Sequence, residues 1–193
     1  MKEEEIRTFY PSNNQQWREW LEENHAKEQS VWLICYKMKS GIPTISWSDA
    51  VDEALCFGWI DSTRKTLDDE KFIQFFGKRK ATSTWSKVNK EKVRKLIAEK
   101  RMTSAGLAII EKAKQNGSWT ILDEVEELIV PADLEKAFEA AEGSKDFFLS
   151  VSKSMRKRML QWIVLAKRPE TRQKRIAEIV EFTAQKLIPT PFR

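Results

Sequence analysis

The sequence predicts an α+β fold: a small antiparallel sheet packed by helices over residues 1–120, followed by an all-helical C-terminal region over 121–193 docked on it. Three observations carry this. SVWLICYK, WIDSTRKTL and KFIQFFGK are β-branched and aromatic runs of strand length. The last two are separated by TLDDEK, a turn-forming stretch that makes them a hairpin. Beyond Ser118 the apolar residues recur only at helical spacing.

The first helix is read from Ser12 and NNQQWREWLEENH, with Ser12 as cap and Trp17, Trp20 and Leu21 on one face. SVWLICYK, a continuous apolar run, reads as a strand buried on both faces. SGIPT breaks the chain. Ser46, with Asp49 three residues on, resembles a capping box and opens a helix that buries Val51, Ala54 and Leu55. Cys56 and Phe57 end that helix and Gly58 stops it in a left-handed conformation.

After the hairpin, a helix capped near Ser86 buries Val93, Leu96 and Ile97, and TSAGLAIIEKAKQNG buries Leu107 and Ile110 before Gly117. Pro131 opens a helix holding Leu134, Ala137 and Phe138. Met155, Met159, Trp162, Ile163 and Ala166 mark one face of the next. After the break at KRPET, Ile176, Ile179, Val180 and Leu187 line the last. No repeat or low-complexity tract interrupts the chain.

The 193 residues suffice for a full core, and a third of them are charged, as in ordinary globular proteins. Val31–Tyr36, the longest wholly uncharged apolar run, is far short of a membrane span, and the N-terminus lacks the pattern of a signal peptide. Two cysteines make no disulfide framework, so the expected location is the cytoplasm with both thiols reduced. The net charge of +5 is the sum of blocks: −6 over 1–70, +10 over 71–118, −7 over 119–150 and +8 over 151–193. Such blocks point either to an anionic partner or to internal neutralisation.

Several chemistries are excluded. One histidine and two cysteines do not complete a structural zinc site, so no metal is expected. The six glycines lie too far apart for a dinucleotide fingerprint or a phosphate-binding loop, and no other cofactor is expected. Neither G-x-S-x-G nor H-E-x-x-H occurs.

What remains are single residues. Cys56 or Cys35 would need His25 within reach to become a nucleophile; otherwise both are small core hydrophobes. Asp61, near Arg64 and Lys65, can orient a polar ligand or act as a base, or it can satisfy local backbone and a neighbouring base. In GKRKATSTWSKVNK, Arg79 and Lys80 precede hydroxyls, Trp85 and a helix start, an arrangement that attracts anions. Trp85 there either stacks on a ligand or is tucked into the core. Arg168, Arg172 and Arg175 share one helical face, free to meet a phosphate backbone or to pair with the acidic stretch Asp123–Glu142.

REWLEENH, SVWL, KSG, DEALCFGWIDS, RKATSTWSKVNKEKV, AKQNGSW and SMRKRMLQWIVLAKRPETRQKRI together resemble the bacterial YdeI/OmpD-associated family from about Trp17 to about Ile179. The matching positions are Glu53 to Asp61, Arg79, Lys80, Trp85, Ser86 and Asn89, then Trp162, Ala166, Lys167, Glu170, Thr171, Arg172 and Arg175. Lys78 departs from the proline that relatives carry there. The resemblance implies a role in bacteriocin protection and association with an outer-membrane porin; it implies no reaction and no catalytic residues.

The leading expectation is a non-enzymatic binding or stress-protection protein taking an anionic small molecule or a protein partner, without membrane insertion. Its candidate ligand residues are Trp59, Asp61, Lys65, Arg79, Lys80, Trp85, Ser86, Asn89, Arg172 and Arg175. The alternatives are a small-molecule enzyme using Asp61 or Cys56, with Lys65 or Arg79 holding substrate, and a nucleic-acid-binding protein.

Overall fold

A computed structural model describes residues 7–192. Its contacts divide the chain into two units: residues up to Ser83 with Val88–Trp119, and Thr84–Lys87 with Thr120 onward.

The first unit is a four-stranded sheet with helices packed on it. The strands β1 (Thr8–Phe9), β2 (Ser30–Tyr36), β3 (Trp59–Thr66) and β4 (Lys71–Lys78) lie in the order β1-β2-β4-β3. β3 and β4 form the expected antiparallel hairpin, and β2 pairs antiparallel with β4. Asp68 organises the turn by accepting hydrogen bonds from the N–H groups of Glu70 (2.8 Å) and Lys71 (2.9 Å). The sheet is mixed, however, because β1 runs parallel to β2. Two residues are too few to show a period, and helix α1 (Asn14–Asn24) supplies the crossover a parallel pair needs.

In β2, buried Val31, Leu33 and Cys35 alternate with half-buried Trp32, Ile34 and Tyr36, so it is covered by backbone elements on one face only. On the other face Trp32 is covered by side chains, its ring meeting Phe75 edge-on (5.1 Å) and lying under the Lys65 ammonium (4.8 Å). Strand and helix runs of this length are not separated by composition alone, and the aromatic side chains imitate a doubly buried run.

α1 is capped by Asn13, not Ser12: the Asn13 side chain accepts from the Gln16 N–H (3.0 Å), while Ser12 binds the Gln16 carboxamide. Its buried Trp17 donates to the Ala50 carbonyl (3.0 Å) and meets Phe76 edge-on, tying α1 to α2 (Trp47–Cys56) and to the sheet. Ser46 caps α2 as expected; its hydroxyl also donates to the Asp49 carboxylate (2.7 Å). Gly58 follows α2 at φ +74, a left-handed position, as the sequence suggests.

α3 (Lys87–Ala98) buries Val93 and Leu96, and α4 (Ser104–Gln115) buries Gly106, Ile110 and Ala113. Ile97 and Leu107, expected in the core, are 47% and 41% exposed. Each sits one residue beyond a core position, about 100° further round the helix. Gly106 sets the choice on α4: its backbone touches the end of α2, and a Cβ there would lie 2.3 Å from the Cys56 carbonyl oxygen.

Beneath α2 lies a charged cluster. Glu53, 4% exposed, is held by Arg18 (2.9 Å) and Arg101 (2.5 Å), and Arg18 also packs over the Phe57 ring. Leaving the buried Glu53 carboxylate without either arginine would cost about 3–5 kcal/mol, because its charge would be stranded.

The second unit contains α5 (Asp123–Glu126), α6 (Ala132–Glu139), α7 (Ser144–Ser150), α8 (Lys153–Val164) and α9 (Pro169–Ala184), then a 3₁₀ turn at Thr190–Phe192. Leu122, Val125, Leu134, Phe138, Phe148, Met159, Leu160, Ile163, Ile176 and Ile179 form its core. Leu187 lies beyond α9 and is 43% exposed, so it does not line that helix. α5 and α7, short and weakly patterned, went unread in the sequence.

Candidate functional site

The junction after α2 builds a cleft of about 320 Å³ within the first unit. Phe57, Gly58 and Trp59 form its back, His25 and Ala26 one rim, and Lys78 and Arg79 at the end of β4 another. Ala105, Ala108, Ile109 and Lys112 close it from α4. Gly58 is needed here for space as well as conformation, since a Cβ would press on Ile109 Cγ1 (3.0 Å) and the Ala105 carbonyl (3.2 Å).

The rim is held by specific bonds. The Trp59 indole donates to the His25 carbonyl (3.3 Å), and the Lys78 ammonium donates to the Ala26 carbonyl (2.8 Å). The Arg79 N–H donates to the Gly58 carbonyl (2.9 Å). His25 Nδ1 lies 2.8 Å from the Leu21 carbonyl oxygen, which can only accept, so Nδ1 is the donor in this contact. The His25 ring packs on Phe57 (5.1 Å).

Among the described residues, four basic side chains therefore line the cleft and no carboxylate does. Burial pushes the Arg79 guanidinium down to about 10, opposed by the Asp61 carboxylate, so it is charged at neutral pH. Lys112 has no ion pair among the described residues. The walls of Phe57, Trp59 and Ile109 are apolar. This chemistry suits a small anion with an apolar body, as ligand sites combine a few placed polar groups with apolar surface.

The predicted residues are placed as follows. Trp59 (1% exposed) and Arg79 (5% exposed) line the cleft. Asp61 lies on the same face of β3 as Trp59 and accepts from the Trp47 indole (2.9 Å) and the Gln74 amide (3.5 Å). Gln74 also reaches the Ser62 and Thr63 carbonyls and takes a bond from Arg64 Nε (3.1 Å), spanning the register shift between Asp61 and Arg64. That shift sends Lys65 to the opposite face, over Trp32, away from the cleft.

Lys80 is exposed and does not line the cleft; Asn89 lies on α3. Trp85, Ser86, Arg172 and Arg175 belong to the second unit. Trp85 is 2% exposed. Arg172 grips Asp133 with two hydrogen bonds (2.6 and 2.8 Å), and Arg175 donates to the Trp162 carbonyl (2.5 Å) while lying over the Trp162 ring (5.0 Å). Lys157 pairs with Glu126 (2.5 Å) and Arg172 with Asp133, so the acidic stretch neutralises part of the basic tail.

The thiols are in no state to act as nucleophiles. Burial pushes Cys56 up to about 11, with Glu53 adding to it; burial likewise raises Cys35 to about 11. Sequence reading missed the α4 wall. Its signal was present: Ala105, Ala108, Ile109 and Lys112 stand at i, i+3, i+4 and i+7, a second stripe beside the core stripe of Gly106, Ile110 and Ala113.

Among the described residues, no helix is long and apolar enough to cross a membrane, and no group of His, Cys, Asp and Glu is placed to hold a metal ion. Fold and cleft together define an α+β protein with a basic, apolar-walled cleft beside its sheet. The chain belongs to the family described as a domain of unknown function (DUF8412), whose model matches residues 9–109. Residues 127–186 match the family described as Bacteriocin-protection, YdeI or OmpD-Associated. The resemblance read over Trp17–Ile179 is thus supported over that C-terminal segment, and DEALCFGWIDS falls in the other family's span. No curated protein and no solved structure matches the chain.

Proposed function

We propose that this chain is a non-enzymatic cytoplasmic binding protein whose cleft takes a small anion carrying an apolar group. Its physiological role would be of the protective kind named in the description of the family matched over residues 127–186. The observation that carries the reading is the lining of the cleft: His25, Lys78, Arg79 and Lys112 around Phe57, Trp59 and Ile109, without a carboxylate among the described residues. The enzyme reading is less well supported, because Asp61 is engaged by Trp47 and Gln74 and the Cys56 thiol is held protonated.

Arg79 is too buried to serve as a clean probe, since truncating it disturbs packing. Lys112 is exposed, so Lys112→Glu should leave stability within about 0.5 kcal/mol. Isothermal titration with phenyl phosphate, octanoate and inorganic phosphate tests the proposal. An apolar anion should bind the wild type more tightly than inorganic phosphate does, and Lys112→Glu should weaken it at least about tenfold, roughly the 1.4 kcal/mol of one lost charged contact. Equal binding by the variant, or no binding of any probe at about 10 mM, removes the cleft from consideration.

A further inference from the structure

A second concavity, of about 400 Å³, lies wholly within the second unit. Arg158, Gln161, Trp162 and Leu165 reach it from α8 and the residue after it, Arg175 from α9, and Phe192 from the C-terminal turn. Positions 158, 161, 162 and 165 form a single stripe of α8, away from its buried Met159, Leu160 and Ile163. The Trp162 and Phe192 rings meet edge-on, 5.4 Å apart at 89°, and make an aromatic corner. A guanidinium packs on each ring: Arg175 over Trp162 (5.0 Å) and Arg158 over Phe192 (5.4 Å).

Neither arginine has an acidic partner among the described residues, although the same unit pairs Arg172, Lys157 and Lys145 with carboxylates. Arg175 spends one donor on the Trp162 carbonyl. Arg158 is exposed, and its donors meet no protein acceptor among the described residues. The Gln161 carboxamide, which offers both donors and an acceptor, likewise has no partner among the described residues. The concavity therefore presents a planar cationic–aromatic wall, a group able to read a polar ring edge, and a fork suited to phosphate.

We infer that this groove binds a mononucleotide. The base stacks in the corner of Trp162, Arg175 and Phe192, Gln161 meets the base edge, and Arg158 holds the phosphate. Stacking on aromatic and guanidinium planes is the common means of holding an unpaired base, and the volume falls in the range of small-molecule sites. This site is independent of the cleft beside the sheet.

The test is calorimetric titration of the full chain with adenosine 5′-monophosphate, adenosine, inorganic phosphate and a short single-stranded RNA. It uses wild type, Arg158→Ala, Gln161→Ala and Lys112→Glu, each checked for native helicity by circular dichroism. The monophosphate should bind, Arg158→Ala should weaken it about tenfold or more, to the level of adenosine, and Lys112→Glu should leave it unchanged. Gln161→Ala should narrow the preference among bases. No monophosphate binding at about 5 mM, or binding indifferent to Arg158→Ala, overturns the proposal. Loss in Lys112→Glu alone would move the ligand to the other cleft. RNA binding much tighter than the monophosphate, with steep salt dependence, would replace the mononucleotide with a nucleic acid.

Discussion

At the scale of single residues, Cys56 shows how position decides chemistry. The thiol lies at the end of α2, fully buried, behind Glu53, and its elevated pKa keeps it a thiol at physiological pH. Arg18 and Arg101 act in the opposite sense but do not overcome burial and the carboxylate. Native protein incubated with iodoacetamide at pH 8 should therefore leave Cys56 unmodified by mass spectrometry, with labelling in full only after unfolding in urea. Rapid labelling of the folded protein would restore the thiol as a nucleophile. Cys56 ends α2, and the residues that follow it form the junction with β3. Gly58, Trp59 and Phe57 line the cleft there, whereas Asp61 accepts from the Trp47 indole and the Gln74 side-chain amide.

At the scale of elements, the crossing of α2 and α4 depends on one missing side chain. Thr103 caps α4 and donates through its hydroxyl (2.6 Å) and N–H (3.1 Å) to the Cys56 carbonyl, and Gly106 lets the helices close on that point. Gly106→Ala relieves helix entropy by up to about 1 kcal/mol, but the clash is with backbone and the helix must shift. A net loss of about 2–3 kcal/mol is expected, read as a lower urea midpoint with an unchanged slope. The hairpin, the Ser46 cap and the Gly58 stop were legible because each rests on neighbours in sequence. The parallel β1, the core face of α4 and the turning of Lys65 away from Asp61 were not. They depend on a partner strand, a helix contact and a register shift that no local pattern announces.

At the scale of the whole molecule, the charge blocks turn out to be stability devices in part. The hydrogen bond from Arg172 holds the Asp133 carboxyl below its ordinary value, against the effect of burial. For Glu126 burial acts upward, and the bonds from Lys157 and the Lys87 N–H outweigh it, so its pKa is lowered too. A carboxylate depressed on folding stabilises fully above its unfolded pKa and loses that contribution as pH falls through its folded pKa. Acidification below about pH 4 should therefore weaken the second unit. Because Asp133 is half exposed, its share is at most about 1 kcal/mol. Urea titrations should show Asp133→Asn less stable than wild type by about that amount at pH 7, with the gap narrowing as the pH falls below about 4. A gap that does not narrow on acidification would mean the pair contributes through packing instead.

The four residues Thr84–Lys87 are grouped with the C-terminal helices although the chain on either side of them is not. Lys87 shows the attachment, its N–H donating to Glu126 (3.2 Å) and its ammonium pairing with Glu127 (3.1 Å). The chain thus visits the second unit twice, and no single cut yields both units intact. A truncation at Trp119 strands that segment on the wrong fragment. For expression, dissection or grafting, the helical unit would have to carry its four-residue strip on an engineered linker, as an inserted or circularly permuted domain does.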